Sequence, residues 1–104
     1  MSAEFSYFYL TCDEKQKEQI ARTLLEAKLI ACAKFVPVDA TYWWGGAIER
    51  GNEAMIIMEA PSKNFAAIES EVAKIHDYDT FVLTQVPMHK INNDAKVWIE
   101  KELS

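Results

Sequence analysis

The stretch from Leu29 to Glu53 constrains the fold of this chain more than any other. Gly45-Gly46 lies between Tyr42-Trp43-Trp44 and Ala47-Ile48. Adjacent glycines accept the positive φ angles of a tight turn, so the stretch reads as a hairpin. The first arm begins at Cys32, just after a helix ends, bends or breaks near Pro37, and runs on to Ala47. Such an aromatic-rich hairpin is unusually long for a chain of 104 residues. It carries no catalytic signature.

The flanking segments supply the rest of a sheet. Phe5 to Thr11 is a strand by its aromatic and β-branched content, with Phe5, Tyr7 and Tyr9 on one face and Phe8 and Leu10 on the other. Asp13 or Thr11 can cap a helix over Glu14 to Lys28, in which Ile20, Ala21, Leu24, Leu25 and Leu29 recur at helical spacing. A strand from Asn52 to Glu59 is apolar on both faces. A helix from Lys63 to Ile75 aligns Phe65, Ile68, Val72 and Ile75. A strand from Thr80 to Val86 and a helix from Asn92 to Leu103 complete the chain.

The order β-α-β-β-α-β plus a C-terminal helix predicts one α+β domain over residues 1–104. It is the ferredoxin-like arrangement: a four-stranded antiparallel sheet, two helices on one face, and a long bent second strand. Two helices cover one sheet face, yet the first and third strands are apolar on both. A second copy of the chain is the simplest cover for the other face, so an oligomer is expected.

The composition narrows the function. With 16 acids against 11 bases and a net charge of −5, the chain lacks the basic stripe of a nucleic-acid binder. The first residues lack the basic and apolar regions of a signal peptide, and no run is long enough to span a bilayer, so a cytoplasmic location is expected. Cys12 and Cys32 are then free thiols rather than a disulfide.

Several separate motifs, in one order, resemble the CutA family of divalent-cation tolerance proteins over about Phe8 to Trp98. They are Thr11-Cys12, the helix from Glu18 to Glu26, Leu29-Ile30-Ala31-Cys32-Ala33 leading to Pro37, and Tyr42-x-Trp44-x-Gly46-x-Ile48-Glu49. Glu53, His76-Asp77-Tyr78, Val86-Pro87 and Trp98 follow at the family's spacing. The resemblance implies a homotrimer, built like the nitrogen-regulatory PII proteins. It implies a role in tolerance of divalent metals, with copper the named ligand, and no enzymatic activity. The chain departs from the family pattern in four places. Glu59 stands where a basic residue is usual, Val82 where an acid is usual, Ala95 where an aromatic is usual, and Asp77 where proline is usual.

Cys12 and His76 are the candidate metal ligands, because a thiolate with an imidazole suits copper or zinc. The topology places them on one rim with the Gly45-Gly46 turn, where Asp13, Asp77 or Asp79 could complete a set. The competing readings are a small buried hydrophobe for Cys12 and a helix cap for His76. Tyr42, Trp43, Trp44, Gly46, Glu53, Tyr78 and Trp98 are expected to line a ligand cleft or a subunit interface. Two other readings of the domain remain: a small acylphosphatase-like hydrolase, and a structural oligomer with no ligand. The hydrolase needs an anion-binding loop after the first strand, where this chain has Asp13 and Glu14.

Overall fold

A computed structural model describes residues 3–104. Four strands, β1 (Phe5–Cys12), β2 (Cys32–Trp44), β3 (Ala47–Pro61) and β4 (Leu83–Pro87), form one sheet in the order β2-β3-β1-β4. Every neighbouring pair is antiparallel. Helices α1 (Lys17–Glu26) and α2 (Phe65–Ile75) are each preceded by a short 3-10 turn, and α3 (Asn93–Leu103) closes the chain.

The core follows from the period of two in the strands. Phe8, Leu10 and Cys12 of β1 share a face with Ala54, Ile56, Met58 and Ala60 of β3, and all are buried. Ile20 and Leu24 of α1 and Ile68 and Val72 of α2 close over them in one cluster. Each such aliphatic side chain contributes about 1.5–3 kcal/mol by leaving water. The opposite face carries Tyr7, Tyr9, Met55 and Ile57, which are only half-buried. It has a partial cover at best.

The end of α1 is set by local geometry. Leu29 N–H donates to Leu24 O and Lys28 N–H to Leu25 O, with Lys28 at φ 62°. That is a Schellman motif, with a lysine in the left-handed position where glycine is usual. At the other end, Asp13 caps the turn leading into α1 by accepting Lys15 N–H at 2.9 Å.

The sheet removes the reading of a break at Pro37 and corrects the bounds of the last three strands, β2 ending at Trp44 rather than Ala47. β2 does not break at Pro37, which stays in register opposite Ala54. Counting from the two-residue turn, hydrogen-bonded and non-bonded pairs alternate, and Pro37 falls at a position whose nitrogen faces the free edge. β3 begins at Ala47 rather than Asn52, so the hairpin zips to its tip. β4 begins at Leu83, and the residues from Thr80 to Val82 are not strand.

The hairpin turn has Gly45 at φ 60° and Gly46 at φ 83°, the sign that a type I′ turn needs at both positions. The last β1 pairing is Cys12 with Ala54. Ala47 to Glu53 therefore run beyond β1 with only β2 beside them, a two-stranded arm of roughly 24 Å at strand rise. This arm accounts for the longest dimension of the molecule, 45 Å against 26 and 22 Å.

Candidate functional site

A polar network gathers at the end of β1, where the segment after α2 returns to the sheet. His76 is the C-cap residue of α2. Its Nε2 lies 2.9 Å from Thr11 O, and its Nδ1 accepts Tyr78 N–H at 3.1 Å. A carbonyl only accepts and a backbone amide only donates. Nε2 therefore carries the proton and Nδ1 the lone pair. The ring stacks on Phe81, with centroids 5.2 Å apart. Tyr78 then reaches the base of the arm, its hydroxyl donating to Glu53 Oε2 at 2.5 Å. Burial first, then this bond and the Glu53 charge, push the phenol well above its ordinary value, so it stays a donor.

Gln16 holds this segment in place. Its Nε2 donates to Ile75 O at 2.5 Å and its Oε1 accepts Asp77 N–H at 3.0 Å. One side chain thus satisfies a carbonyl left over at the end of α2 and fixes the backbone on both sides of His76. The sequence hides this role. Asp13-x-x-Gln16 reads as a capping box, in which the glutamine would turn back to its own cap. Here it reaches forward to the other helix.

Cys12 is buried at the end of β1. Desolvation, joined by the charges of Asp13, Glu53 and Glu14 and opposed by Lys17, pushes its thiol up to about 11. It is a neutral thiol at physiological pH. His76 and Cys12 do meet at one rim, since His76 bonds the carbonyl of the residue before Cys12. The Gly45-Gly46 turn does not join them, because the arm carries it a further seven residues away. Within one chain the rim is not a ready-made metal site: both imidazole nitrogens have protein partners. Among the described residues, no group of three or more His, Cys, Asp or Glu side chains is placed to hold a metal ion.

The remaining candidates divide into three places. Glu53 and Tyr78 belong to the rim. Tyr42, Trp43, Trp44 and Gly46 ride on the arm, where Trp43 is 72% exposed and Ile48 60% exposed. Trp98 is on α3, at the end of the sheet where β1 begins; Lys96 there pairs with Glu4 at 3.5 Å. One chain therefore does not assemble these residues into a single cleft.

The departures from the family pattern have physical outcomes too. Glu59 pairs with Lys34 of β2 at 2.6 Å, which raises the lysine's pKa. The acid thus has a cation beside it on the half-covered face. Val82 is exposed just before β4, and Ala95 is half-buried on α3.

A split βαβ sheet with a hairpin arm and a histidine-tyrosine rim defines a ferredoxin-like α+β protein of an arm-bearing type. The model of the CutA1 divalent ion tolerance protein family matches residues 6–102, so the chain belongs to the CutA1 family. A divalent-cation tolerance protein CutA of Archaeoglobus fulgidus is 32% identical over 97 residues, covering 92% of this chain and 95% of that protein. The CutA of Thermococcus kodakarensis is 30% identical, over 88% of each chain. Among solved structures, the Archaeoglobus fulgidus protein, described as periplasmic, superposes with a TM-score of 0.93 at 31% identity. It covers 96% of this chain and 99% of that one. CutA1 of Pyrococcus horikoshii gives a TM-score of 0.89 at 28% identity, over 93% and 96%.

Proposed function

We propose that this protein works as a homotrimer whose ligand-binding surface is completed between subunits. The observation that carries this reading is the surface of the single chain. A compact monomer of this mass would expose about 5,900 Å², whereas the chain exposes 6882 Å². The excess fits an arm bare on both sides, together with the face of Tyr7, Tyr9, Met55 and Ile57. The outer edge of β2 adds an unpaired backbone row along a thirteen-residue strand, an edge that natural proteins cover. A second copy supplies apolar surface and strand edge together, and the family resemblance supports three copies rather than two.

In this assembly the arm of one subunit lies against another, bringing Trp43 and Trp44 to a neighbour's surface. A PII-like role, in which a small ligand or a cation at the subunit clefts is sensed, belongs to the same proposal and rests on the family resemblance. Copper binding at Cys12 and His76 is the narrower form of the proposal. It requires Cys12 to lose its proton and His76 to release Tyr78 N–H. A cytoplasmic location belongs to the same reading, supported by two unpaired cysteines. Among the described residues no helix is long and apolar enough to cross a membrane. The hydrolase reading gains no support, since Asp13 occupies the loop after β1 and is spent on Lys15 N–H.

Light scattering on a sizing column is expected to give the mass of three chains, with upward of about 2,000 Å² buried at such an interface. Trp44→Ala should shift the assembly toward smaller species. A stable monomer at micromolar concentration would sink the proposal. Copper titration of wild type, Cys12→Ser and His76→Ala tests the narrower form, and equal affinity in all three would remove it.

A further inference from the structure

A groove at the opposite end of the sheet from the His76 rim has a charge balance that the rest of the chain does not. It lies where β1 begins, between α3 and the turns that follow α1, β3 and β4. Four of the 11 basic residues line it, Lys28, Lys63, Lys90 and Lys96, but only two of the 16 acids, Glu4 and Glu100. The side-chain balance is four minus two, or +2, on a protein of net charge −5.

The two kinds of lysine differ. Lys96 is paired with Glu4, and Lys28 donates to Glu102 O at 2.8 Å. The ammonium groups of Lys63 and Lys90 have no hydrogen bond or ion pair to another described residue. They come from different turns, after β3 and after β4, so two unspent cations flank the same groove. Its accessible apolar wall is Met88, Ile91 and Leu103, each half-buried, backed by the buried Phe5 and Ile99. The floor is fixed, because Gln85 Nε2 donates to Ser62 O and Ser6 Oγ, both at 3.0 Å. That bridge holds the turn bearing Lys63 to the strand leading into Lys90.

We infer that this groove binds an organic anion with a short apolar chain, its carboxylate or phosphate head between Lys63 and Lys90. A cationic rim over apolar walls discriminates against both a bare ion and a neutral hydrocarbon. The head would gain two cations in a surface that elsewhere repels it, and the chain would cover the exposed parts of Met88, Ile91 and Leu103. The groove shares no lining residue with the His76 rim.

The test follows amide shifts of the intact protein in NMR titrations with octanoate, octyl phosphate, octanol and acetate. Saturable shifts at residues 62–64 and 88–91 are expected with octanoate or octyl phosphate, and the tighter of the two identifies the head group. The Lys63→Glu/Lys90→Glu double variant should bind on the order of tenfold or more weaker, and Lys74→Glu, on α2 away from the groove, like wild type. Octanol or acetate binding as tightly as octanoate would overturn the inference. So would a Lys74→Glu loss equal to that of the double variant, or shifts confined to other residues.

Discussion

Replacing Gln16 tests whether a single buried amide positions the His76 segment. The side chain is 7% exposed and its two hydrogen bonds go to backbone atoms of Ile75 and Asp77. Gln16→Met keeps length and volume while removing both bonds. Each bond is worth about 1 kcal/mol net, and stranding a buried partner costs about 1–3 kcal/mol. Since one end of the pair retains some access to water, a loss of about 2–4 kcal/mol is expected. Urea unfolding at one fixed protomer concentration measures it, because assembly would otherwise shift the midpoint. Hydrogen exchange at the Asp77 amide should speed up in step.

Gln16→Glu sharpens the test. Its carboxylate keeps an acceptor for Asp77 N–H but sets a second oxygen against Ile75 O. When protonated, that oxygen becomes a donor and the bond to Ile75 returns. Burial and the carbonyl therefore raise the variant carboxyl in the folded state, so the folded state binds the extra proton more tightly. The variant should recover stability relative to wild type as pH falls. A Met variant within about 0.5 kcal/mol of wild type with unchanged exchange at Asp77, or a Glu variant with no such recovery, would refute the positioning role.

Cys12 ties stability to alkaline pH. Burial holds its thiol up to about 11 against an ordinary value of 9.0, so between those values the unfolded state has lost a proton that the folded state keeps. Stability should be full below about pH 9 and fall toward pH 11, by roughly 1.4 kcal/mol for each pH step of one across that window. The difference between wild type and Cys12→Ala unfolding curves isolates this slope. Lys28→Gly relieves a left-handed φ of 62° and should stabilise by about 0.5–1 kcal/mol in thermal unfolding, less whatever the contact to Glu102 O contributes. At the arm tip, a Cβ on Gly45 or Gly46 meets nothing within 4 Å, so only backbone conformation is at stake. Gly45→Asn should be nearly neutral in the same assay, whereas Gly46→Val should cost about 1–2 kcal/mol. Tyr78→Phe removes the bond to Glu53, and a cycle with Glu53→Gln should give a coupling of about 1–2 kcal/mol.

What the sequence determined by itself is what depends on neighbours along the chain. The period-two alternation of β1 and the helical spacing of Ile20, Leu24, Ile68 and Val72 fix which face each element buries. The Gly45-Gly46 pair fixes the turn, since few other residue pairs accept two positive φ angles. The order of those elements, with the motifs they carry, was enough for the fold class and the CutA family. Tertiary structure decided everything that depends on register and on distance through space. Pro37 is harmless only because β2 is an edge strand and its nitrogen faces outward, a fact absent from the residues around it. The arm's reach depends on where β1 stops pairing with β3, at Cys12 and Ala54, which no local pattern encodes. Gln16 meets residues 59 and 61 positions away, and Lys63 and Lys90 line one groove. Long-range contacts of this kind leave no period in a sequence, because each is set by the packing of whole elements rather than by the spacing of side chains along one of them.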